Sequence, residues 1–298
     1  MYSKNIFKRG CELSLGESNG SSLQVENKFM RILNYILLII LLVIILAPLL
    51  ILLNISMKSN EEYMYSGLFA LPKNIFNFSN YSNALKLGKF GAAFKNTVVL
   101  IVSSTTISVL MGSMVAYALN RFDFKLKKLL FVMFLIPTFI PSITTSIATF
   151  TVIKNLGLYN SIFAGMLIYI GTDIMQIYVF LQFMEKIPVS LDESAQIDGA
   201  SRLRVFFSII IPQLKPAIAT TVILKVLGIY NDFFTPYLYM PKSTLRTVAT
   251  ALNAFSGDRT AQWPLMSAAI IIVAIPTLII YLFLQKYIMG GITDGAVK

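Results

Sequence analysis

The 298-residue chain is 56% hydrophobic and only 13% charged, whereas a soluble globular domain carries about 25% charged residues. This composition excludes a disordered chain, a fibrous repeat and nearly all soluble folds, and it predicts a protein whose main solvent is lipid. Histidine is absent and Cys11 is the single cysteine, which excludes histidine-based catalysis and an intrachain disulfide. The net charge of +11 is explained by the Lys and Arg residues that collect in the cytoplasmic loops of membrane proteins, so it does not indicate a nucleic-acid partner.

Six apolar runs are long enough to cross a bilayer, because a spanning helix needs about 20 apolar residues. Four of them contain no Asp, Glu, Lys or Arg, and these are 32–57, 96–120, 129–153 and 260–285. The other two, 155–184 and 205–231, are interrupted by Asp173 in the first and by Lys215 and Lys225 in the second. The sequence therefore predicts an all-α integral membrane protein with six transmembrane helices.

The organisation along the chain follows from these runs. We expect an N-terminal tail at 1–31, a first transmembrane helix at 32–57, an extracytoplasmic loop at 58–89, a five-helix transmembrane domain at 90–286 and a C-terminal tail at 287–298. With both termini inside the cell, the inner segments hold 14 Lys and Arg and the outer segments hold 9. This bias favours cytoplasmic termini without settling the orientation.

The segment 185–216 has the pattern of two short helices joined by a sharp bend. Ser190 and Glu193 predict a capping box, in which each side chain bonds the other residue's backbone amide. Gly199 can adopt a positive φ and end the first helix, and Ser201 can cap the second. Such a segment is more elaborate than a connection between two transmembrane helices requires.

The residues of this segment resemble the EAA loop of binding-protein-dependent ABC importer permeases. The resemblance rests on Glu193, Ser194, Ala195, Asp198, Gly199, Ala200 and Pro212. The sequence departs from the usual pattern at Ser194, where Ala is usual, and at Ile211, where Leu is usual. The resemblance extends over roughly residues 90–298 and is strongest with the sugar-importing, maltose-type branch of the family.

The resemblance implies a function and a set of partners. The EAA-type loop would be cytoplasmic and dock in a groove of a nucleotide-binding ATPase subunit, which places both termini in the cytoplasm of a bacterial cell. A second, homologous permease subunit would complete the path for a sugar or oligosaccharide delivered by an extracytoplasmic solute-binding protein. The chain has no Gly-x-x-x-x-Gly-Lys-[Ser/Thr] motif, so it is expected to be no enzyme and to need no cofactor, with ATP bound by the partner.

Asp173 and Lys225 lie inside predicted spans, where ionisable side chains are costly and mark function by default. Each lies roughly 20 Å along its span, at 1.5 Å per residue, so the two could meet near the middle of the membrane. A structural ion pair and a polar wall of the solute path both fit this placement. The alternative function is an ion-coupled secondary transporter that uses this pair, although it would require inverted repeats that the sequence does not show.

Aromatic faces and planar polar groups bind sugars, and several lie near the predicted path. The candidates are Tyr169, Gln176, Tyr178, Tyr230, Asn231 and Asp232. Tyr is also common at membrane interfaces, so simple packing is an alternative for each. The apolar stretch 247–257 is too short to span, and long loops concentrate binding residues. We therefore expect the binding protein to dock on 247–259 and the solute to pass close to 230–232.

Overall fold

The computed structural model describes residues 28–255 and 262–296, and this part of the chain contains helices and no β-strand. The first helices are α1 (Lys28–Ser56), α2 (Asn60–Ser66), α3 (Ser79–Leu87), α4 (Phe90–Arg121), α5 (Lys127–Leu135), α6 (Ser142–Asn155), α7 (Ile162–Tyr169) and α8 (Ile174–Met184). The later helices are α9 (Ser190–Ile197), α10 (Arg202–Val205), α11 (Ile211–Gln213), α12 (Lys215–Asn231), α13 (Phe234–Tyr239), α14 (Val248–Ala251) and α15 (Trp263–Ala296). A π-helix, Phe206–Ile210, joins α10 to α11.

Helix α1 is apolar around its whole circumference. Its part up to Leu50 belongs to one compact unit, and the chain from Ile51 onward belongs to another. Every side chain from Met30 to Leu46 is exposed. A helix that is hydrophobic all round is stable only in a protein core or in lipid, and the 27 residues of Met30–Ser56 exceed the length that a bilayer core requires.

Three continuous helices and three bent helix pairs are apolar enough to cross a membrane. The continuous ones are Met30–Ser56, Phe90–Arg121 and Trp263–Phe283. The bent pairs are Lys127–Phe139 with Ser142–Asn155, Ile162–Tyr169 with Ile174–Met184, and Arg202–Gln213 with Lys215–Asn231, bent by 109°, 45° and 77°. The described residues thus contain three candidate spans, or up to six if each bent pair is one span. All six apolar runs of the sequence are helical, but three of them are broken.

The breaks have identifiable causes. Pro141 is the N-cap residue of α6 and Pro216 lies in the first turn of α12, positions where the missing N–H of proline leaves no hydrogen bond unmade. The break between α7 and α8 covers 170–173 and includes Gly171. Non-helical backbone of this kind is tolerated within a membrane only where protein or a cavity surrounds it.

Helix α4 is the centre of the packing, and three buried clusters follow along its length. Near its first residue, Phe90 packs with residues of α3, α14 and α15. Near its middle, Leu100 packs with residues of α6, α7 and α13. Near its end, Tyr117 packs with residues of α8 and of the π-helix. Elements far apart in the sequence are therefore held together by one long helix.

Small side chains allow the neighbours of α4 to approach closely. Thr97, Ser104 and Ser108 are buried on this helix, which is the composition typical of helix interfaces in membranes. A Cβ added to Gly112 would lie 3.0 Å from Thr172 Cγ2 and 3.1 Å from Gln176 Cδ. Gly112 is therefore one point at which α4 approaches the broken helix closely.

We expect Gly112→Val to destabilise the protein by about 1–3 kcal/mol, because the added methyl groups overpack this contact. The measurement is the apparent Tm of the purified protein in detergent, which falls by about 2–4 °C per kcal/mol in proteins of this size class. Gly91→Val is the matched control on the same helix, since a Cβ at Gly91 meets nothing within 4 Å. Equal Tm values for the two variants would contradict the close contact.

Candidate functional site

The segment after α8 has the two-helix shape expected from its sequence. Gly199 has φ +84°, in the region that favours glycine, and it separates α9 from α10. The Ser201 hydroxyl caps α10 by accepting the Arg204 N–H at 3.3 Å. The expected capping box of Ser190 and Glu193 is wrong: α9 has Val189 as its N-cap residue and no side-chain capping bond. Ser190 is already the first helical residue, so its hydroxyl cannot act as the cap.

A buried ion pair fastens α9 to the end of α4. Arg121 Nε donates to Asp192 Oδ2 at 3.1 Å, and both side chains are at most 6% exposed. Arg121 Nη2 also donates to the Ile187 carbonyl oxygen at 2.9 Å. Tyr117 OH lies 3.5 Å from Asp192 Oδ2. One guanidinium therefore fixes both the chain that leaves α8 and the first turn of α9 against α4.

Aromatic contacts hold the second half of the segment against the same helix end. The Arg202 guanidinium lies 4.9 Å from the centroid of the Phe122 ring, and the rings of Tyr117 and Phe206 are 5.2 Å apart. Phe206 begins the π-helix, and it is buried together with Ile210. The segment is thus anchored at two points, one polar and one aromatic, and we call Ser190–Gln213 with these anchors the coupling segment.

The opposite face of the coupling segment is open. Leu191, Ile197 and Leu203 are exposed, and Ile197 is 86% exposed. Of the residues that carry the resemblance, Glu193, Ser194, Asp198, Gly199 and Pro212 are exposed, whereas Ala195 and Ala200 are half-buried against the cluster around Tyr117. The two alanines therefore pack against the protein. The polar residues of the motif lie on the exposed side, together with the three exposed apolar residues.

Three side chains satisfy the backbone at the break between α7 and α8. Asp173 is the N-cap of α8 and accepts the Gln176 N–H at 2.8 Å. The Gly171 carbonyl oxygen accepts from Lys225 Nζ at 2.8 Å and from Ser108 Oγ at 3.1 Å. The break is therefore stabilised by hydrogen bonds from side chains of α4, α8 and α12.

A cavity of about 280 Å³ opens beside this break. Its lining residues are Tyr169, Asp173, Met175, Gln176, Thr221, Leu224, Lys225, Gly228, Ile229 and Asp232. Tyr169 OH donates to Asp232 Oδ2 at 2.9 Å, and the Thr235 N–H donates to Asp232 Oδ1 at 3.0 Å. The structure thus brings Asp173, Lys225 and Asp232 to one polar cavity between α8 and the end of α12.

The structure differs from the sequence-based expectations of an ion pair between Asp173 and Lys225 and of a place for Tyr230 and Asn231 beside the solute path. Asp173 and Lys225 share the cavity but make no direct ion pair, since each is bonded to a helix end instead. Tyr230 OH donates to the Val273 carbonyl oxygen at 3.0 Å, and Asn231 Nδ2 donates to the Leu227 carbonyl oxygen within its own helix at 3.0 Å. Neither residue lines the cavity, because both point to other sides of α12.

The apolar stretch that begins at Thr247 packs inside the protein. All four residues of α14 are buried, and the Val248 N–H donates to Thr97 Oγ1 at 2.9 Å. Asn96 Nδ2 ties the preceding turn to α4 by donating to the Thr244 and Arg246 carbonyl oxygens. These apolar residues are therefore not available as a docking face. Asn253 is exposed, and residues 256–259 of the expected docking region lie outside the described residues.

The sequence does not predict the ion pair of Arg121 and Asp192, because its two residues lie 71 positions apart and no local pattern joins them. One sequence pattern does point to the cavity. Lys225, Gly228, Ile229 and Asp232 are spaced i, i+3, i+4 and i+7, which places them on one face of α12.

Comparisons with known proteins agree with this geometry. Residues 108–293 match the family described as binding-protein-dependent transport system inner membrane component. The melibiose/raffinose/stachyose import permease protein MelC of Bacillus subtilis is 32% identical over 255 residues, which cover 84% of this chain and 91% of that protein. The probable starch degradation products transport system permease protein AmyC of Thermoanaerobacterium thermosulfurigenes is 31% identical over 255 residues, covering 85% and 91%.

The fold is also that of a solved transporter. A chain of a bacterial ABC transporter involved in the import of the acidic polysaccharide alginate superposes with a TM-score of 0.77 at 24% identity, over 88% of this chain and 98% of that one. At this identity the likeness concerns the fold alone. Since the family match covers more than half of the sequence, this chain belongs to the inner membrane components of binding-protein-dependent transport systems, the permease subunits of ABC importers.

Proposed function

We propose that this chain is the permease subunit of an ATP-driven sugar or oligosaccharide importer. The observation that carries the proposal is the coupling segment, which is anchored to α4 on one face and open on the other, and which leads into α12, the helix that lines the polar cavity near its far end. The sugar cargo is supported by the relatives, which include permeases for melibiose, raffinose and stachyose and for starch degradation products. The ion-coupled alternative is less favoured, because Asp173 and Lys225 each bond a helix end rather than one another.

The proposed topology has six spans with both termini in the cytoplasm. In this topology the three continuous apolar helices and the three bent pairs would each supply one span, which the lengths and composition of these helices allow. Residues 1–31 and 287–298 are then cytoplasmic tails, and 58–89 is an extracytoplasmic loop. The excess of Lys and Arg in the inner segments supports this orientation.

The coupling segment, within 185–216, is proposed to dock in a groove of the ATPase subunit. Leu191, Ile197 and Leu203 are exposed on its open face. A contiguous patch of exposed apolar side chains often marks a protein–protein contact site, so we assign these residues to the contact with the ATPase. Glu193, Ser194, Asp198, Gly199 and Pro212 lie on the outside of the segment and would meet the ATPase, and Ala195 and Ala200 would seat it against the permease. Arg121 would pass its motion to α4, and the π-helix would pass it to α12.

The cavity of Asp173, Lys225 and Asp232 is proposed to form part of the solute path. Tyr230 and Asn231 were candidates for the same path. Neither lines the cavity in this conformation: Tyr230 joins α12 to α15 through Val273, and Asn231 bonds within α12, so a place on the path would require a rotation of α12. A second permease subunit would close the path on its other side.

The function is tested with the complete importer in proteoliposomes, containing the second permease, the ATPase and the binding protein. With raffinose, maltotriose and diacetylchitobiose as probes, we expect uptake of at least one sugar that requires ATP on the ATPase side and the binding protein on the other. Uptake driven by an ion gradient without ATP would support the secondary-transporter alternative instead.

We expect Gly199→Val to give an assembled complex with at least tenfold less uptake. A β-branched residue resists the positive φ of this position, so the bend between α9 and α10 would change. Gly199→Asn is the matched control, because Asn tolerates this region and nothing lies within 4 Å of an added Cβ. Uptake by the valine variant at the level of the asparagine variant would show that the bend is not needed for coupling.

The ion pair of Arg121 and Asp192 is tested by a double-mutant cycle. Removing one partner of a buried pair costs about 3–5 kcal/mol, because the other charge is left uncompensated. We therefore expect Asp192→Leu and Arg121→Met each to lower the apparent Tm and the uptake, and the double variant to recover part of the Tm. Asp123→Asn, which breaks an exposed ion pair with Lys127, should change neither. Additive losses in the cycle would argue against a mutual interaction.

A further inference from the structure

The cavity beside the broken helix has an unbalanced charge. Two carboxylates, Asp173 and Asp232, and one ammonium, Lys225, line it, and the other lining residues carry no charge. Its formal charge is therefore −1. Its volume of about 280 Å³ lies near the lower end of the range for small-molecule sites, which is enough for one end of an oligosaccharide.

The hydrogen bonds at these groups fix their positions without cancelling their charge. Asp173 accepts a backbone N–H at 2.8 Å, and Asp232 accepts the phenol of Tyr169 at 2.9 Å and a backbone N–H at 3.0 Å. Lys225 donates to a backbone carbonyl at 2.8 Å. Since all these partners are uncharged, both carboxylates keep their negative field. Each carboxylate oxygen has a further lone pair for a ligand.

We propose that this cavity contacts the solute directly and selects neutral sugars against acidic ones. The inference rests on the proposed function, because it names the class of sugar that the same site accepts. Hydroxyl groups would donate to Asp173 and Asp232, and the ammonium of Lys225 would donate to a ring or hydroxyl oxygen. Leu224, Gly228 and Ile229 offer an apolar wall for the C–H face of a sugar ring.

A sugar acid would be disfavoured at this site. Its carboxylate would enter a space that already contains two, and like charges at close range in a partly dehydrated site repel strongly. Lys225 cannot compensate for all three. The solved transporter that shares this fold is involved in the import of an acidic polysaccharide, so the shared fold does not by itself determine this choice.

The experiment separates this chain from the binding protein. The purified permease–ATPase complex in nanodiscs, without the binding protein, is examined by saturation-transfer difference NMR, which detects weak ligands. The probes are raffinose, maltotriose, diacetylchitobiose and trigalacturonate. We expect the wild-type complex to give a signal with at least one neutral probe and at least a tenfold weaker one with trigalacturonate. Asp173→Asn and Asp232→Asn should each weaken the neutral signal at least threefold.

The double variant Asp173→Asn/Asp232→Asn provides the decisive comparison. It changes the formal charge of the cavity from −1 to +1 while keeping the side-chain shapes, so the ratio of the trigalacturonate signal to the neutral signal should rise at least tenfold. Asp123→Asn, an exposed carboxylate outside the cavity, should leave all signals unchanged. Copurification of the ATPase with each variant confirms assembly.

Three results would overturn the inference. These are an equal signal from trigalacturonate and the neutral probes in the wild-type complex, no signal from any neutral probe, and a ratio that the double variant leaves unchanged. ATP-dependent uptake of a sugar by the complete importer would still support the proposed function in each case. Absence of any sugar uptake would instead reject the proposed function itself.

Discussion

In a hydrocarbon environment every backbone N–H and C=O must find a partner within the protein, and the arrangement of this chain follows from that constraint. A continuous helix satisfies it mostly with its own hydrogen bonds. The break between α7 and α8 satisfies it with Asp173, which caps α8, and with Ser108 of α4 and Lys225 of α12. Charged and polar side chains therefore gather at this break, and the polar cavity lies beside it.

The chain is a permease subunit of a binding-protein-dependent ABC importer, and ATP hydrolysis belongs to a separate subunit. In the proposed function this chain would carry motion between the ATPase and the solute path, and the contacts of the coupling segment bear on that role. A buried guanidinium holds two successive stretches of chain, at Ile187 and at Asp192, against the end of α4.

The sequence predicted most local features and few distant ones, and the capping box expected at Ser190 and Glu193 is the local exception. The apolar runs, the positive φ of Gly199 and the cap of Ser201 depend on residues within a few positions of one another, and each is found in the structure. The contact of Arg121 with Asp192 joins residues 71 positions apart, and no local pattern reports it. The burial of α14 was not predicted for a related reason. The same apolar sequence pattern is expected whether the stretch is covered by lipid, by a partner protein or by the protein's own core.

The two charges at the broken helix also have an electrical consequence. Helix ends carry partial charges, positive at the N-terminus and negative at the C-terminus. Asp173 is the N-cap residue of α8, and Lys225 donates to the backbone carbonyl oxygen of Gly171, just beyond the last turn of α7. Each side chain thus keeps its charge and interacts favourably with a helix end, and Lys225 links the end of α7 to α12. A rotation of α12 that withdraws Lys225 would leave the Gly171 carbonyl oxygen with Ser108 as its remaining donor, so the free energy of such a rotation includes the cost of removing a charge from the break.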